Sequence, residues 1–265
     1  IVFVPVASLA GEIVATCVLA SFAIRALGIR IQLCFDRPPA LLAFARLASS
    51  EVGGGAVTRV NPVVAQLMAG LTAVAGGGTM LRYTGDVATL PTSLLQAALL
   101  PVLLSHLADD YARRDLATIR RTVTRAVASV CGLLLAASIL LYLVRRPLLR
   151  LVFLHGQMDE AGVDRMADLL PYHLVGLAPF GALLVLARAH VATKNGSIMI
   201  SMGILNASTN LICNLVMLRV LGLEGLALAT SLVSIVVAIV FWFRFQKRMA
   251  VLEAEARAPA AERPT

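Results

Sequence analysis

"LRYTGDVATLPTSLLQAALLP", residues 81–101, decides how this chain is read. Most of it is as apolar as a membrane-crossing helix, yet it carries Arg82, Asp86, Pro91 and Pro101. An ionisable side chain at mid-bilayer costs at least about 2.5–3.5 kcal/mol, so it faces a cavity, a partner or the water edge. Arg82 and Asp86 stand four residues apart and share a helix face. They read either as a self-neutralising pair near a helix end, with Arg82 reaching for water, or as two groups lining a hydrated cavity where Arg82 meets an anion. Pro91 and Pro101 each remove a backbone N–H and free a carbonyl one turn earlier. Broken helices persist at membrane depth where they line a cavity or flex, so both prolines are expected hinges. Thr89, Thr92, Ser93 and Gln96 are at hand to satisfy the freed groups or to solvate a headgroup.

The rest of the chain supplies the setting. Of 265 residues, 59% are hydrophobic and only 14% are charged, against about 45–50% and 25% in soluble domains. Mean hydropathy is +0.86. Leu, Ala and Val come in runs near twenty residues, which a soluble core does not need; the class is an all-α, polytopic transmembrane helix bundle. The net charge of +8 is nearly all arginine, with Lys194 and Lys247 the two lysines. No aromatic-basic surface accompanies it, so it reads as topology-setting loop charge and not as a nucleic-acid footprint. Cys17, Cys34, Cys131 and Cys213 lie far apart, without metal-ligand or disulfide spacing. Ile1 already sits in an apolar run; the chain is expected to be a piece of a longer protein.

About seven spans can be drawn, at roughly 1–24, 39–73, 79–107, 124–144, 165–190, 197–218 and 223–245. Four regions result. Residues 1–107 hold the cavity-lining spans. Residues 108–125 form an amphipathic surface helix, with Leu116, Ile119 and Val123 at helical spacing. Residues 126–246 form the remaining bundle, and 247–265 a disordered tail rich in Ala, Pro and Glu. If the loop holding Arg25, Arg30 and Arg37 is cytoplasmic, the segment from Arg113 to Arg125, the Arg188–Lys194 loop and the C-terminus are cytoplasmic too, in keeping with the positive-inside rule. Arg145, Arg146 and Arg150 run against that bias.

Charged residues in the spans concentrate early: Glu12, Arg46, Glu51, Arg59, Arg82 and Asp86. One wall of the bundle therefore borders something polar. Glu51 and Arg59 lie eight apart, about two turns, with Gly53, Gly54 and Gly55 between them and Asn61-Pro62 just after. Asn206, Asn210 and Asn214 form an i, i+4, i+8 ladder, read as interhelical glue. Gly222, Gly225 and Ala229 suit close helix packing. No nucleophile elbow, zinc-protease or phosphate-loop motif is present, so the chain is not expected to be an enzyme and needs no cofactor.

Three ordered stretches resemble one family. "RVNPVVAQLMAGLTAVAGGGTMLRYTGDVATLPTSLLQAALLPVLLSHLA" carries Asn61, Tyr83, Leu90-Pro91, Leu100-Pro101 and Ser105. "LLRLVFLHGQMDEAGVDRMADLLPYHLVGLAPFGALLVLARAHVATKNGS" carries Phe153, Gly156, Leu170, Tyr172, Gly176, Leu177, Arg188 and Ala192. "GLEGLALATSLVSIV" follows. Together they are similar to helices six to twelve of the MurJ/MviN-type lipid II flippases, of the multidrug/oligosaccharidyl-lipid/polysaccharide exporter superfamily. The resemblance spans roughly residues 5–245, and implies that the N-terminal lobe of the same protein is a partner of this chain. Asp86 stands where the family pattern has a cavity arginine, and Thr89 where it has a carboxylate.

The resemblance implies a flippase that moves a polyprenyl-pyrophosphate-linked saccharide, such as lipid II, across the bacterial inner membrane by alternating access, for cell-wall or surface-glycan synthesis. Arg59 and Arg82 are the expected phosphate holders, with Asp86, Asn61 and Gln96 beside them. Glu12, Glu51 and Asp86 tune that field or bind a coupling cation; coupling to membrane potential is the other option. The alternatives are a non-transporting scaffold of envelope synthesis and a cation-coupled multidrug-type antiporter in which Asp86 and Glu51 form the binding pair. Membrane lipids are the further partners expected.

Overall fold

The computed structural model describes residues 3–27, 61–72, 74, 76–154, 158–195 and 197–257. They are helical almost throughout, as the long apolar runs require, because lipid offers no partner for unpaired backbone groups. Helix α1 (Phe3–Leu27) belongs to a separate unit, residues 1–44. The second unit, residues 45–265, holds helix α2 (61–69), α3 (Gly77–Ala98), α4 (Leu100–Ala112), α5 (Leu116–Phe153), α6 (Glu160–Leu174), α7 (Leu177–Ala192), α8 (Ser197–Leu221) and α9 (Leu223–Arg257).

Among the described residues α5, α8 and α9 are each long and apolar enough to cross a bilayer. Two more spans are bent pairs: α3 with α4 at 45°, and α6 with α7 at 46°. In α5 the apolar stretch between Arg125 and Arg145 is 19 residues, and so is that in α9 between Glu224 and Arg244. At 1.5 Å per residue each is about 28 Å long, close to the roughly 30 Å of a hydrocarbon core. Two independent helices thus mark the same slab. The Arg120–Glu253 ion pair (3.7 Å) brings the start of α5 to the end of α9. Arg248 donates to the Thr193 carbonyl (3.5 Å), which puts the end of α7 on that side too.

The two ends of the slab differ in charge. At the first end Arg113, Arg114, Arg120, Arg121, Arg125, Arg188, Lys194, Arg244, Lys247 and Arg248 outnumber Asp109, Asp110, Asp115, Glu253 and Glu255. At the other end Arg145, Arg146, Arg150, Arg165 and Arg219 are matched by Asp159, Glu160, Asp164, Asp168 and Glu224. Two of these are direct pairs, Arg150–Asp164 (3.3 Å) and Arg146–Asp168 (3.9 Å). The arginine cluster that runs against the charge bias in the sequence is therefore neutralised by α6.

Packing follows from small residues at crossings. A Cβ on Gly181 of α7 would lie 2.2 Å from Leu134 Cδ1 of α5, and one on Gly225 would lie 2.0 Å from the Met217 carbonyl oxygen of α8. Gly222, at φ +63°, makes the tight α8–α9 turn that other residues adopt only with strain. The core joins Leu107, Leu134, Leu149, Leu186, Phe245 and Met249, all fully buried. Outward-facing Leu133, Leu140, Leu143, Ile212 and Val220 are exposed, as a lipid-facing surface should be.

Four expectations need correction. The 108–125 segment is no separate surface helix: it closes α4 and opens α5, because Ile119 and Val123 are fully buried in the bundle. The 247–257 segment is no disordered tail: α9 continues to Arg257, held by buried Met249 and Leu252, while 258–265 lie outside the described residues. Pro91 does not break the helix: α3 runs through it, with Val87, Ala88, Thr92 and Leu95 on either side buried. The bend falls at Leu99, with Pro101 in the first turn of α4, where a missing N–H costs nothing. The span drawn over 165–190 is divided at Val175–Gly176.

Candidate functional site: a cavity beside the α6–α7 break

The start of α2, the face of α3 carrying Arg82 and Asp86, the α6–α7 break, α8 and α9 enclose a cavity of about 470 Å³. Arg82 and Asp86 both line it. Their contact is long, 3.9 Å from Nε to Oδ2, and both side chains are about two-thirds exposed. A pair so open to solvent is worth about 0–1 kcal/mol. Arg82 can therefore turn to another anion at small cost.

Amides and hydroxyls form the opposite wall. Asn61 Nδ2 donates to Asn206 Oδ1, tying α2 to α8. Asn214 Nδ2 donates to Asn210 Oδ1 (2.9 Å), and Asn210 lines the cavity. The ladder is thus partly interhelical tie and partly cavity wall. On α9, Thr230, Ser231 and Ser234 also line the space.

Ser231 holds the break in the α6–α7 span together. Its Oγ accepts from the Gly176 N–H (2.9 Å) and donates to the Tyr172 carbonyl (2.5 Å), with the His173 carbonyl at 3.2 Å. Backbone groups at the bend are satisfied by one hydroxyl from the neighbouring helix. Gly176 makes the approach possible: a Cβ there would lie 2.5 Å from Ser231 Cα. His173, at the end of α6, turns its ring onto Gly85 of α3, whose added Cβ would lie 3.5 Å from Cε1.

Of the residues singled out in the sequence, Arg82, Asp86 and Asn61 come together on this cavity. Gln96 does not; it is exposed, more than two turns beyond Asp86. Glu51 and Arg59 lie outside the described residues, as does Arg46, and Glu12 is on α1 in the other unit. Among the described residues no group of three His, Cys, Asp or Glu is placed to hold a metal. Sequence reading missed His173 and Ser231. The signal available was Pro171 followed by Gly176, which marks a broken span.

The model of the family "Lipid II flippase MurJ" matches residues 2–261. The chain belongs to the MurJ family. It is similar to a probable lipid II flippase MurJ of Vibrio cholerae, 22% identical over 196 residues, covering 74% of this chain and 37% of that one. A probable lipid II flippase MurJ of Rhizobium tropici is 24% identical over 209 residues, covering 78% and 39%. The chain thus spans under two-fifths of the length of these curated MurJ relatives. Among solved structures, a lipid II flippase MurJ in an inward closed conformation superposes with a TM-score of 0.65 at 20% identity, over 75% of this chain and 43% of the other. A MATE transporter in complex with MaL6 superposes at 0.72 with 14% identity, over 91% and 55%. The fold of this chain is therefore shared with part of each of these two structures.

Proposed function

We propose that this chain is part of a flippase that carries a polyprenyl-pyrophosphate-linked saccharide, such as lipid II, across the bacterial inner membrane by alternating access. The observation that carries the reading is Arg82: a loosely paired guanidinium on a largely apolar cavity that also carries amides and hydroxyls, walled by a span broken at Gly176. A guanidinium matches phosphate oxygens in a bidentate fork. The amide and hydroxyl wall suits a sugar, and the lipid tail stays in the bilayer. The two bent spans let the cavity change its opening without loss of helix packing.

We take the arginine-rich end of the slab, with the C-terminus, as cytoplasmic. Asp86 shares the cavity and either tunes the field of Arg82 or binds a coupling cation; membrane potential acting on the charged cargo is the other drive. Arg59 joins Arg82 in holding phosphate on this reading, and the N-terminal lobe of the same protein completes the translocation path.

The test is complementation in a bacterial strain depleted of its own lipid II flippase. Arg82→Ala and Arg59→Ala should each abolish rescue. Rescue by both variants contradicts the reading and leaves a scaffold. Rescue lost only with Asp86→Asn and Glu51→Gln indicates a cation antiporter.

A further inference from the structure

A groove of about 460 Å³ at the start of α5 is lined by Ala117, Arg120, Arg121, Thr124 and Arg125, with Glu253 of α9 beside them. All three arginines are exposed. Glu253 pairs with Arg120 at 3.7 Å. Among the described residues neither Arg121 nor Arg125 forms an ion pair. Arg121 acts on the Asp115 carboxylate only through space. Arg121 and Arg125 stand four residues apart on one helix face, where like charges repel. At the other end of the slab Arg146 and Arg150 have Asp168 and Asp164 as partners. The depth of the groove is also specific. Arg125 marks the edge of the apolar slab, and at 1.5 Å per residue Arg121 lies about 6 Å beyond it. A headgroup layer is about 5–8 Å thick, so both guanidiniums reach the level of phospholipid phosphates. Below them Ala128, Gly132, Leu135 and Ile139 continue the same face of α5 into the slab, all exposed. Nothing lies within 4 Å of a Cβ built on Gly132, so a shallow apolar notch runs on from the cationic groove.

We infer that this groove binds an anionic phospholipid: Arg121 and Arg125 hold the headgroup phosphate, and an acyl chain lies along Ala128, Gly132 and Leu135. Basic pockets between membrane helices take such headgroups, and a guanidinium fork fits phosphate oxygens. Two cations at headgroup depth above an apolar notch complement a molecule that joins an anion to a chain; free phosphate fills only the upper half. The inference needs a membrane-spanning chain and does not rest on the flippase reading, since the groove shares no residue with the Arg82 cavity. The bound lipid neutralises the Arg121–Arg125 repulsion and so stabilises the end of the bundle where α5 meets α9.

The experiment titrates the purified protein in detergent with phosphatidylglycerol and, separately, with zwitterionic phosphatidylethanolamine, and follows binding and thermal unfolding. Phosphatidylglycerol should bind about fivefold tighter or more and should raise the unfolding temperature, as a ligand of the folded state does. Arg121→Gln and Arg125→Gln should each weaken its binding about fivefold, and the double variant about 25-fold, the scale for an arginine at an anionic lipid surface. The double variant should also lose the rise in unfolding temperature. Arg113→Gln removes a charge from the same side of the slab but outside the groove, and should bind within about twofold of the unsubstituted protein. Inorganic phosphate at the lipid's concentration should not displace it. Equal binding of the two lipids by the unsubstituted protein overturns the inference, whether or not any variant folds. Equal losses in Arg113→Gln and Arg121→Gln mean a diffuse charge effect and overturn the site. Displacement by inorganic phosphate contradicts the acyl-chain contact and overturns the phospholipid as occupant.

Discussion

Gly176→Ala isolates the junction that lets one span break in mid-membrane. Gly176 has φ −85° and ψ −6°, a conformation alanine adopts without strain, so the substitution acts through space alone. The new methyl would sit 2.5 Å from Ser231 Cα, 2.7 Å from Oγ and 2.9 Å from Cβ. The first of these is backbone, which no rotamer change can move. Helix α9 must therefore shift away from the α6–α7 break. Overpacking of this kind costs about 1–3 kcal/mol. The shift also loosens the Ser231 hydroxyl from the Gly176 N–H, the Tyr172 carbonyl or both, a further 0.5–1.5 kcal/mol or so for each bond lost. The expected destabilisation is about 2–4 kcal/mol, read from denaturant unfolding in detergent micelles. Gly132→Ala on α5 is the control: nothing lies within 4 Å of its Cβ, and alanine in a helix is favoured over glycine by roughly 0.5–1 kcal/mol. If Gly176→Ala unfolds like Gly132→Ala, α9 does not clasp the break and the junction described here is wrong.

Three other perturbations bear on separate parts of the molecule. Asn206→Leu leaves Asn61 without its partner and should cost about 1–3 kcal/mol of unfolding free energy, while the double variant with Asn61→Leu should recover much of that loss. Asp115 caps α5 by accepting from the Thr118 N–H (3.0 Å), which holds its carboxyl below the usual carboxylate range; its contribution is present above the unfolded pKa and is lost as pH falls through the folded one, so amide protection factors at 118–119, corrected for the intrinsic rate at each pH, should fall in acid and in Asp115→Ala at neutral pH. In a cysteine-free background, cysteine at Glu255 should resist an impermeant thiol reagent in intact cells, while cysteine at Asp159 should react; the reverse pattern inverts the orientation.

The sequence made some of this legible and hid the rest for physical reasons. Span lengths, the shared face of Arg82 and Asp86, and the spacing of Asn206, Asn210 and Asn214 follow from helical periodicity, which is local. Where a span breaks is not local. Pro91 removes a hydrogen bond as surely as Pro171 does, yet the helix around Pro91 stays whole because buried neighbours pin it on both sides. The span holding Pro171 breaks instead at Val175–Gly176, where a serine 55 residues after Gly176 takes up the Gly176 N–H and the Tyr172 carbonyl. Likewise, a lone histidine in an apolar run has no pattern to betray it; His173 matters through Gly85 and the cavity, on elements far away in sequence. The arginines at 145–150 mislead for the same reason, since their partners are on the following helix. Gln96 shares a helix with Arg82 but lies beyond the cavity's reach.

The most direct measurement is translocation of fluorescent lipid II in proteoliposomes, comparing the unsubstituted protein with Arg82→Ala and with Arg145→Ala, a half-buried arginine stacked on Tyr142 away from the cavity. Movement should fall about tenfold or more in Arg82→Ala and be unaffected in Arg145→Ala. Equal rates in all three would mean that the charge on the cavity wall does not hold the cargo.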